Sequence, residues 1–432
     1  MSIKRPFIVL IVVALSVGSA IVANAQLQVS PSALESADSA FKAAKFAEAE
    51  KLYAKVAAQD PKNYQAALRL GHIALLNNRL DEAQKWLAKS VELKPEEKTS
   101  KALLGEVYYR RDDFERAAPL FAAAGREAKA KKLASFKNAA PYRIEGAAQV
   151  SHLKFVHTDP LPLVRVKVNA SEEINFLVDT GGGEVIIDSE FAKKVGAADF
   201  GVEQGTFGGD LKADTGEGRV DSLTLGDFVV KNVPVNILST RRFMAAARGK
   251  QVDGIIGTVL LYHFLSTIDY ANGELILRRR TKNNLKQFEQ EAVANKQIIV
   301  PFWMVGDHLM LAWGTVNKSN PVLLFVDTGA AGIGFTGPQS ILDEAGIKLL
   351  TGSETTGTGG GGAMKIVPFN VGELSLGEAR ERDIIGVFGP FPASLELKNG
   401  FRIAGLISHQ FFRPYTLTFD FDGMKLYLKR KF

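Results

Sequence analysis

Two segments of the sequence carry the residue types that could do chemistry. Each has an apolar run that would form a buried strand and hold an Asp at the end of a sheet, followed by a Thr and a Gly. The Thr hydroxyl can brace one loop against another, and the Gly lets a second backbone approach within hydrogen-bonding distance. The segments are Asn175–Gly182, with Asp179, Thr180 and Gly181, and Leu323–Ala330, with Asp327, Thr328 and Gly329.

A third Asp-Thr-Gly, Asp214–Gly216, has no apolar run before it and a charged residue after it. Asp and Gly are common turn residues, so this copy is predicted to be a turn without a catalytic role. One Asp-Thr-Gly alone is therefore weak evidence of function.

The other two copies lie at the same place in a duplicated unit. The spacing is 148 residues for Asn169 and Asn317 and for Asp179 and Asp327, and 151 residues for Gly226 and Gly377 and for Thr267 and Thr418. Short runs such as Leu163–Val168 alternate apolar and polar residues, which predicts strands. The chain is predicted to hold two β-rich copies, 146–280 and 298–432, joined by a polar connection at 281–297.

Each copy also has a later apolar segment with a glycine, Asp253–Gly257 in the first and Ala404–Ser408 in the second. With the two Asp-Thr-Gly motifs, these segments resemble the retropepsin-like aspartic peptidases, and the fused copies resemble the two lobes of pepsin. The resemblance covers about residues 146–432.

The resemblance implies an all-β bilobal fold with Asp179 and Asp327 as the catalytic pair. The two carboxyl groups would share one proton and activate a water that attacks a peptide bond, without a cofactor. The neighbouring residues that would support the active-site loops are Thr180, Gly181, Thr328 and Gly329.

The family closes its cleft with mobile hairpin flaps, and glycine-rich tracts occupy the corresponding interval in both copies. The candidate flap residues are Gly205, Phe207, Gly208 and Gly209 in the first copy and Gly359, Gly360 and Gly361 in the second. An ordinary flexible hairpin loop is the alternative for each tract. Neither tract contains the Tyr of pepsin-like flaps, and Ser408 replaces the glycine that Gly257 supplies in the first copy.

The sequence before these copies has a helical composition and a period of 34 residues. The period relates Ala49, Ala83 and Ala117, and also Phe46, Leu80 and Phe114. This period resembles tetratricopeptide repeats, which implies an all-α domain at 31–135 that could bind a protein partner. An Ala-rich helical bundle is the alternative. Asn138–Pro141 is predicted to be a linker, so that the helical and β-rich regions would be separable.

The N-terminus is typical of a signal peptide. Lys4 and Arg5 precede the apolar run Phe7–Leu15, and Ala23–Ala25 gives a small-x-small cleavage pattern. We therefore expect residues 1–25 to be removed, giving an exported protein, periplasmic or secreted, without a stable membrane span. An uncleaved anchor is the alternative.

The composition excludes several kinds of site. The chain has no Cys and only six His, none in an H-E-x-x-H motif, so a thiol nucleophile, an iron–sulfur cluster and a zinc peptidase site are not expected, and no metal site is predicted. The net charge is +6, but the basic residues are scattered, and the densest cluster, Arg278–Lys282, is too short to predict nucleic-acid binding.

Three hypotheses of function follow. The first is an exported aspartic endopeptidase whose substrate is a protein or peptide and whose repeats bind a protein. The second is a peptidase-like module that binds extended peptides without cutting them. The third is a scaffold that acts through its helical repeats.

Overall fold

The computed structural model describes residues 32–431 of the chain. The predicted signal peptide, 1–25, lies outside the described residues. The helices are α1 Ala33–Lys42, α2 Phe46–Gln59, α3 Tyr64–Leu76, α4 Leu80–Leu93, α5 Lys98–Tyr109, α6 Phe114–Ala123, α7 Glu127–Ala134, α8 Ser189–Lys194, α9 Thr258–Tyr262, α10 Lys282–Ala294, α11 Gln339–Glu344, α12 Ser394–Asn399 and α13 His409–Phe412. Between residues 32 and 431, no helix combines the length and the apolar character that crossing a membrane requires.

The strands all follow the first seven helices. They are β1 Arg143–Glu145, β2 Val150–Lys154, β3 Leu163–Val168, β4 Ile174–Val178, β5 Val185–Ile187, β6 Ala198–Thr206, β7 Lys212–Leu225, β8 Phe228–Ile237, β9 Gly254–Ile256, β10 Phe264–Asp269, β11 Glu274–Arg279, β12 Ile298–Pro301, β13 Trp303–Val305, β14 Leu309–Val316, β15 Val322–Val326, β16 Phe335–Thr336, β17 Thr355–Gly359, β18 Gly362–Leu376, β19 Ala379–Phe388, β20 Gly405–Ile407, β21 Tyr415–Asp420 and β22 Lys425–Arg430.

The helical region consists of pairs, α1–α2, α3–α4 and α5–α6, that repeat every 34 residues, with α7 added at the end. Between the helices of each pair, one residue takes a left-handed conformation, and these residues are Ala44, Asn78 and Asp112, with φ of 57°, 54° and 58°. In the second helices, Ala49, Ala83 and Ala117 are completely buried. Complete burial at the same point of each repeat is expected where the helices of a pair pack against their neighbours. The prediction of a repeat-containing helical region is confirmed.

Three sheets form the β-rich region. One eight-stranded sheet has the order β1-β8-β5-β9-β4-β3-β7-β6 and belongs to the first copy, here the first lobe. The other has the order β13-β14-β15-β20-β16-β19-β18-β17 and belongs to the second lobe. Both lobes contribute to a six-stranded sheet, β12-β22-β21-β10-β11-β2, in which β10 pairs with β21. These sheets are consistent with the predicted bilobal peptidase fold.

The duplication extends to individual hydrogen bonds. Asn169 and Asn317 both have left-handed backbones, with φ of 51° and 53°. Each side-chain oxygen accepts two backbone N–H groups from the long strand of its own lobe, those of Asp221 and Ser222 and those of Gly372 and Glu373. Across the central sheet, Thr267 Oγ1 and Thr418 Oγ1 lie 2.8 Å apart. The spacings of 148 and 151 residues therefore relate equivalent positions.

The turn predicted at Asp214–Gly216 is wrong. These residues lie within β7, and Asp214 pairs with Gln204 of β6. Asp214 is exposed because this end of the β6–β7 hairpin extends beyond the core. The polar composition that suggested a turn is that of an exposed hairpin strand.

The packing argues against the predicted separability of the helical and β-rich regions, because the two regions share their apolar cores. Phe121 and Leu133 belong to the same core as Val220 of β7. At the other end, the rings of Phe46 and Phe401 pack edge to face with centroids 5.0 Å apart. The last helix thus packs against the first lobe and the first helices pack against the second lobe.

We predict that a fragment beginning at residue 142 will not fold as the full chain does, because it would expose these apolar surfaces to water. Circular dichroism during heating should show no cooperative transition, or a lower midpoint than that of the full chain from Gln26. A cooperative transition at the same midpoint would show that the helical region adds nothing to the stability of the lobes.

Candidate active site

The two Asp-Thr-Gly segments follow the central strands of the two lobes. Both β4 and β15 pair in parallel with a later strand of their own lobe, β9 and β20. The backbone N–H of Asp179 donates to Ile256 O, and that of Asp327 donates to Ile407 O, both at 3.0 Å. Each Asp is therefore fixed by main-chain hydrogen bonds at the end of a buried strand.

The two threonines bind the loops to each other. Thr180 N donates to Thr328 Oγ1 at 3.1 Å, and Thr328 N donates to Thr180 Oγ1 at 3.0 Å. Both threonines are completely buried. A buried backbone N–H without a partner would be costly, so these reciprocal bonds favour one relative position of the two loops.

The two glycines bring the carboxyl groups together. Gly181 N donates to Asp179 Oδ1 at 2.7 Å, and Gly329 N donates to Asp327 Oδ1 at 2.6 Å. A Cβ on Gly181 would lie 2.5 Å from Asp327 Cγ, and one on Gly329 would lie 2.0 Å from Asp179 Cγ. Each carboxyl group thus occupies the space above the glycine of the opposite loop.

The pair is expected to hold a proton. Burial raises the pKa of Asp179 above its usual range, although a hydrogen bond with Asp327 partly offsets this. Burial and the charge of Asp179 raise the pKa of Asp327 well above its usual range. Two carboxyl groups in contact titrate as a unit, so the proton belongs to the pair.

Ser408 and Gly257 occupy equivalent positions in different surroundings. A Cβ on Gly257 would lie 2.2 Å from Gly183 O, so the first lobe has no room for a side chain there. The second lobe has room, and Ser408 Oγ accepts the N–H of Ala330 at 3.0 Å. Ser408 therefore supports the second Asp-Thr-Gly loop.

The candidate flap tracts lie at the tips of two hairpins, β6–β7 and β17–β18. The tips contact each other, since a Cβ on Gly360 would lie 2.2 Å from Phe207 Cδ1. The first tip also contacts the second lobe, where Gly209 N donates to Pro390 O at 2.7 Å.

Residues that the sequence analysis did not select also lie near the first loop. A Cβ on Gly183 would lie 3.3 Å from His308 Nδ1, and this nitrogen lies 2.5 Å from Asp307 Oδ1. Although burial opposes it, Lys129 and His308 lower the pKa of Asp307 well below its usual range. Buried Glu184 follows Gly183 and forms an ion pair with Lys132 of α7. The sequence contained one signal for Glu184. This residue follows three consecutive glycines, Gly181–Gly183, and the second copy has no such run after its Asp-Thr-Gly.

Comparison with known families agrees with this architecture. Residues 164–260 match the family model described as aspartyl protease. Residues 40–105 match the family model described as tetratricopeptide repeat. No curated protein matches the chain. The chain therefore has tetratricopeptide repeats followed by an aspartyl-protease-like region, in the predicted order.

We predict that Gly329→Ala will be poorly tolerated, because its methyl group would overlap the Asp179 carboxyl group. Gly182→Ala is the matched control, since a Cβ there would lie 3.5 Å from the nearest atom, Asp179 O. Thermal unfolding should show a lower midpoint for Gly329→Ala, by the equivalent of about 1–3 kcal/mol for an overpacked site, and little change for Gly182→Ala. Equal midpoints would contradict the close approach of the two loops.

Proposed function

We propose that this protein is an exported aspartic endopeptidase that hydrolyses peptide bonds with a water activated by Asp179 and Asp327. The observation that carries the proposal is the partly buried carboxyl pair, one from each lobe, whose loops are joined by the Thr180–Thr328 hydrogen bonds. The match of residues 164–260 to the aspartyl protease family supports it.

The chemistry needs one proton on the pair. The ionised carboxylate accepts a proton from the water as the water oxygen attacks the peptide carbonyl carbon. The protonated carboxyl group donates its proton toward the carbonyl oxygen. The carboxyl group that took the proton of the water then donates it to the nitrogen, the C–N bond breaks, and the amine leaves. The other carboxylate recovers a proton from a hydroxyl group of the intermediate, so the pair again holds one proton. Because water and not a side chain attacks the carbonyl carbon, no covalent bond to the enzyme forms. Both aspartates remain partly accessible, as attack by water requires.

The substrate is proposed to be an extended protein or peptide segment lying between the lobes and covered by the two hairpins. Because the hairpin tips contact each other, they have to separate before a chain can enter. Tetratricopeptide repeats commonly bind other proteins, so the exposed outer faces of the helical region are proposed to bind a protein partner.

Export is proposed on the pattern of Lys4, Arg5, Phe7–Leu15 and Ala23–Ala25. We predict that the mature protein, recovered from the exported fraction, begins at Gln26. N-terminal sequencing measures this, and a chain that retains Met1 or Ser2 would contradict cleavage.

The direct test of the carboxyl pair is to replace each Asp with its near-isosteric amide. We predict that Asp179→Asn and Asp327→Asn will each reduce cleavage of a denatured protein mixture by at least about 100-fold, because an amide cannot accept the proton of the water. Asp214→Asn is the matched control, since Asp214 also lies in an Asp-Thr-Gly but is exposed on β7. It should cleave like the unmodified protein. Near-normal cleavage by either of the first two variants would contradict the mechanism.

The same variants test the shared proton through stability. A carboxyl group with a raised pKa in the folded state stabilises the protein below its unfolded pKa, about 4, and this contribution is lost as the pH rises through the folded pKa. The amide in Asp327→Asn does not ionise, so this variant does not lose stability in this way as the pH rises. Its unfolding midpoint should therefore exceed that of the unmodified protein near neutral pH, and the difference should shrink in acid. A difference that does not vary with pH would show that the pKa of Asp327 is not raised.

A second candidate function is peptide binding without cleavage. The contact between the hairpin tips favours it, since a closed cleft could retain a bound peptide. Under this hypothesis the unmodified protein would bind denatured protein but generate no new termini between about pH 3 and pH 8, a range that covers the titration of a carboxyl pair.

A further inference from the structure

The last helix of the repeat region presents basic side chains to three parts of the proposed active site. Arg126 precedes α7, and Lys129 and Lys132 follow at intervals of three residues, so they lie on one face. Arg126 Nε donates to Glu203 of hairpin strand β6 at 2.9 Å. Lys129 Nζ lies 3.4 Å from Asp307 Oδ2, in the turn of the second lobe beside His308.

Lys132 makes the most buried of these contacts. Its ammonium group pairs with both Glu184 and Glu217, and all three side chains are almost completely buried. Burial alone would lower the pKa of Lys132, but the two carboxylates raise it above its usual range. Tyr109 OH donates to Glu184 Oε1 at 2.6 Å. Two residues of the repeat region thus hold Glu184, and a buried charge group of this kind is costly to disrupt.

Glu184 directly follows the first active-site loop. Thr258 N donates to Gly182 O at 2.9 Å, and Val259 N donates to Gly183 O at 3.0 Å. The N–H groups of α9 therefore hold the loop from Asp179 to Gly183 by binding carbonyl groups of the loop. The repeat region holds the same loop through the next side chain, that of Glu184.

The duplicated lobe shows that this acidic pair is not needed for the lobe fold. In the second lobe Gln410 N donates to Ile333 O at 3.0 Å, as Val259 N does to Gly183 O, so Gly334 is the counterpart of Glu184. The counterpart of Glu217 is Pro368, which pairs with Val387 as Glu217 pairs with Asn236. The two carboxylates that Lys132 binds, those of Glu184 and Glu217, therefore have no acidic counterparts in the second lobe.

We propose that Lys132 and Tyr109 of the repeat region are positioning residues for Asp179, and that they act by fixing Glu184 at the end of the active-site loop. This inference rests on the proposed peptidase function. The repeats then serve the reaction from within the chain, in addition to any protein that their outer faces bind. Through Glu217 and Glu203, the same helix also holds both strands of the first hairpin.

Tyr109→Phe tests the proposal with little risk to the fold. It removes only the hydroxyl group, and the ring can keep its stacking on Phe114 at 5.2 Å. Tyr53→Phe is the matched control, because Tyr53 is equally buried and its hydroxyl donates to a carboxylate, Asp38 Oδ1, at 2.5 Å within the repeat region. Both variants lose one tyrosine–carboxylate hydrogen bond, but only the first touches Glu184.

We expect Tyr109→Phe to lower kcat by about 10-fold to 100-fold, because small misplacements of a catalytic group cost that much, with KM nearly unchanged. Tyr53→Phe should keep the kcat of the unmodified protein even if its unfolding midpoint falls by the same amount. If the two variants lose activity equally, or if neither does, the positioning role is wrong.

Hydrogen exchange provides a readout that does not depend on catalysis. In the full chain, amide exchange across residues 179–188 should become faster in Tyr109→Phe, and faster still in Lys132→Met, than in Tyr53→Phe. Unchanged exchange in this segment would overturn the inference. If the unmodified protein does not cleave but the exchange rates change as expected, then the proposed function fails while the coupling between Tyr109, Lys132 and the loop stands.

Discussion

The contact between two partly buried carboxyl groups is the constraint on which the rest of the structure depends. Asp179 and Asp327 repel each other when both are ionised, and burial increases the cost. The structure opposes this repulsion with the reciprocal Thr180–Thr328 hydrogen bonds and with the paired strands β10 and β21. Each lobe supplies one of the two carboxyl groups. The association of the lobes therefore creates both the electrostatic cost and the proposed chemistry.

The two lobes are equivalent in backbone but not in surroundings. Gly257 has no room for a side chain, whereas Ser408 uses its hydroxyl to hold Ala330. Glu184 has a buried cationic partner in α7, whereas its counterpart Gly334 has no side chain. The difference at Glu184 follows from where the helical region packs, because the Lys132 side chain of α7 pairs with carboxylates of the first lobe. The two copies of the unit therefore form an asymmetric site, in which Lys132 of α7 contacts Glu184 of the first lobe.

The sequence predicted the parts of the fold that depend on local patterns. The 34-residue period predicted the helical pairs. Residues at equivalent positions of successive repeats have similar neighbours, so the same residue types recur there. The two apolar-Asp-Thr-Gly segments were distinguishable from Asp214–Gly216 because they lie at equivalent points of the duplication. The Lys132–Glu184 ion pair was not predictable, because residues so far apart in the chain share no local period. The shared core of the helical and β-rich regions was not predictable, because the composition at Asn138–Pro141 does not show which surface covers the apolar face of α7. The strand at Asp214 was missed because a hairpin strand with an exposed face resembles a polar turn.

The most direct measurement of the central claim is to identify by mass spectrometry the new termini that the full mature protein generates in a denatured protein mixture, with and without a statine-type peptide. The hydroxyl group of such a peptide resembles the tetrahedral intermediate, so it should bind between the two carboxyl groups more tightly than a substrate does. We predict new termini in mildly acidic solution and their loss when the statine peptide is added. New termini that persist at saturating statine peptide, or the absence of new termini from the unmodified protein at any pH tested, would contradict the assignment of Asp179 and Asp327 as a peptidase pair.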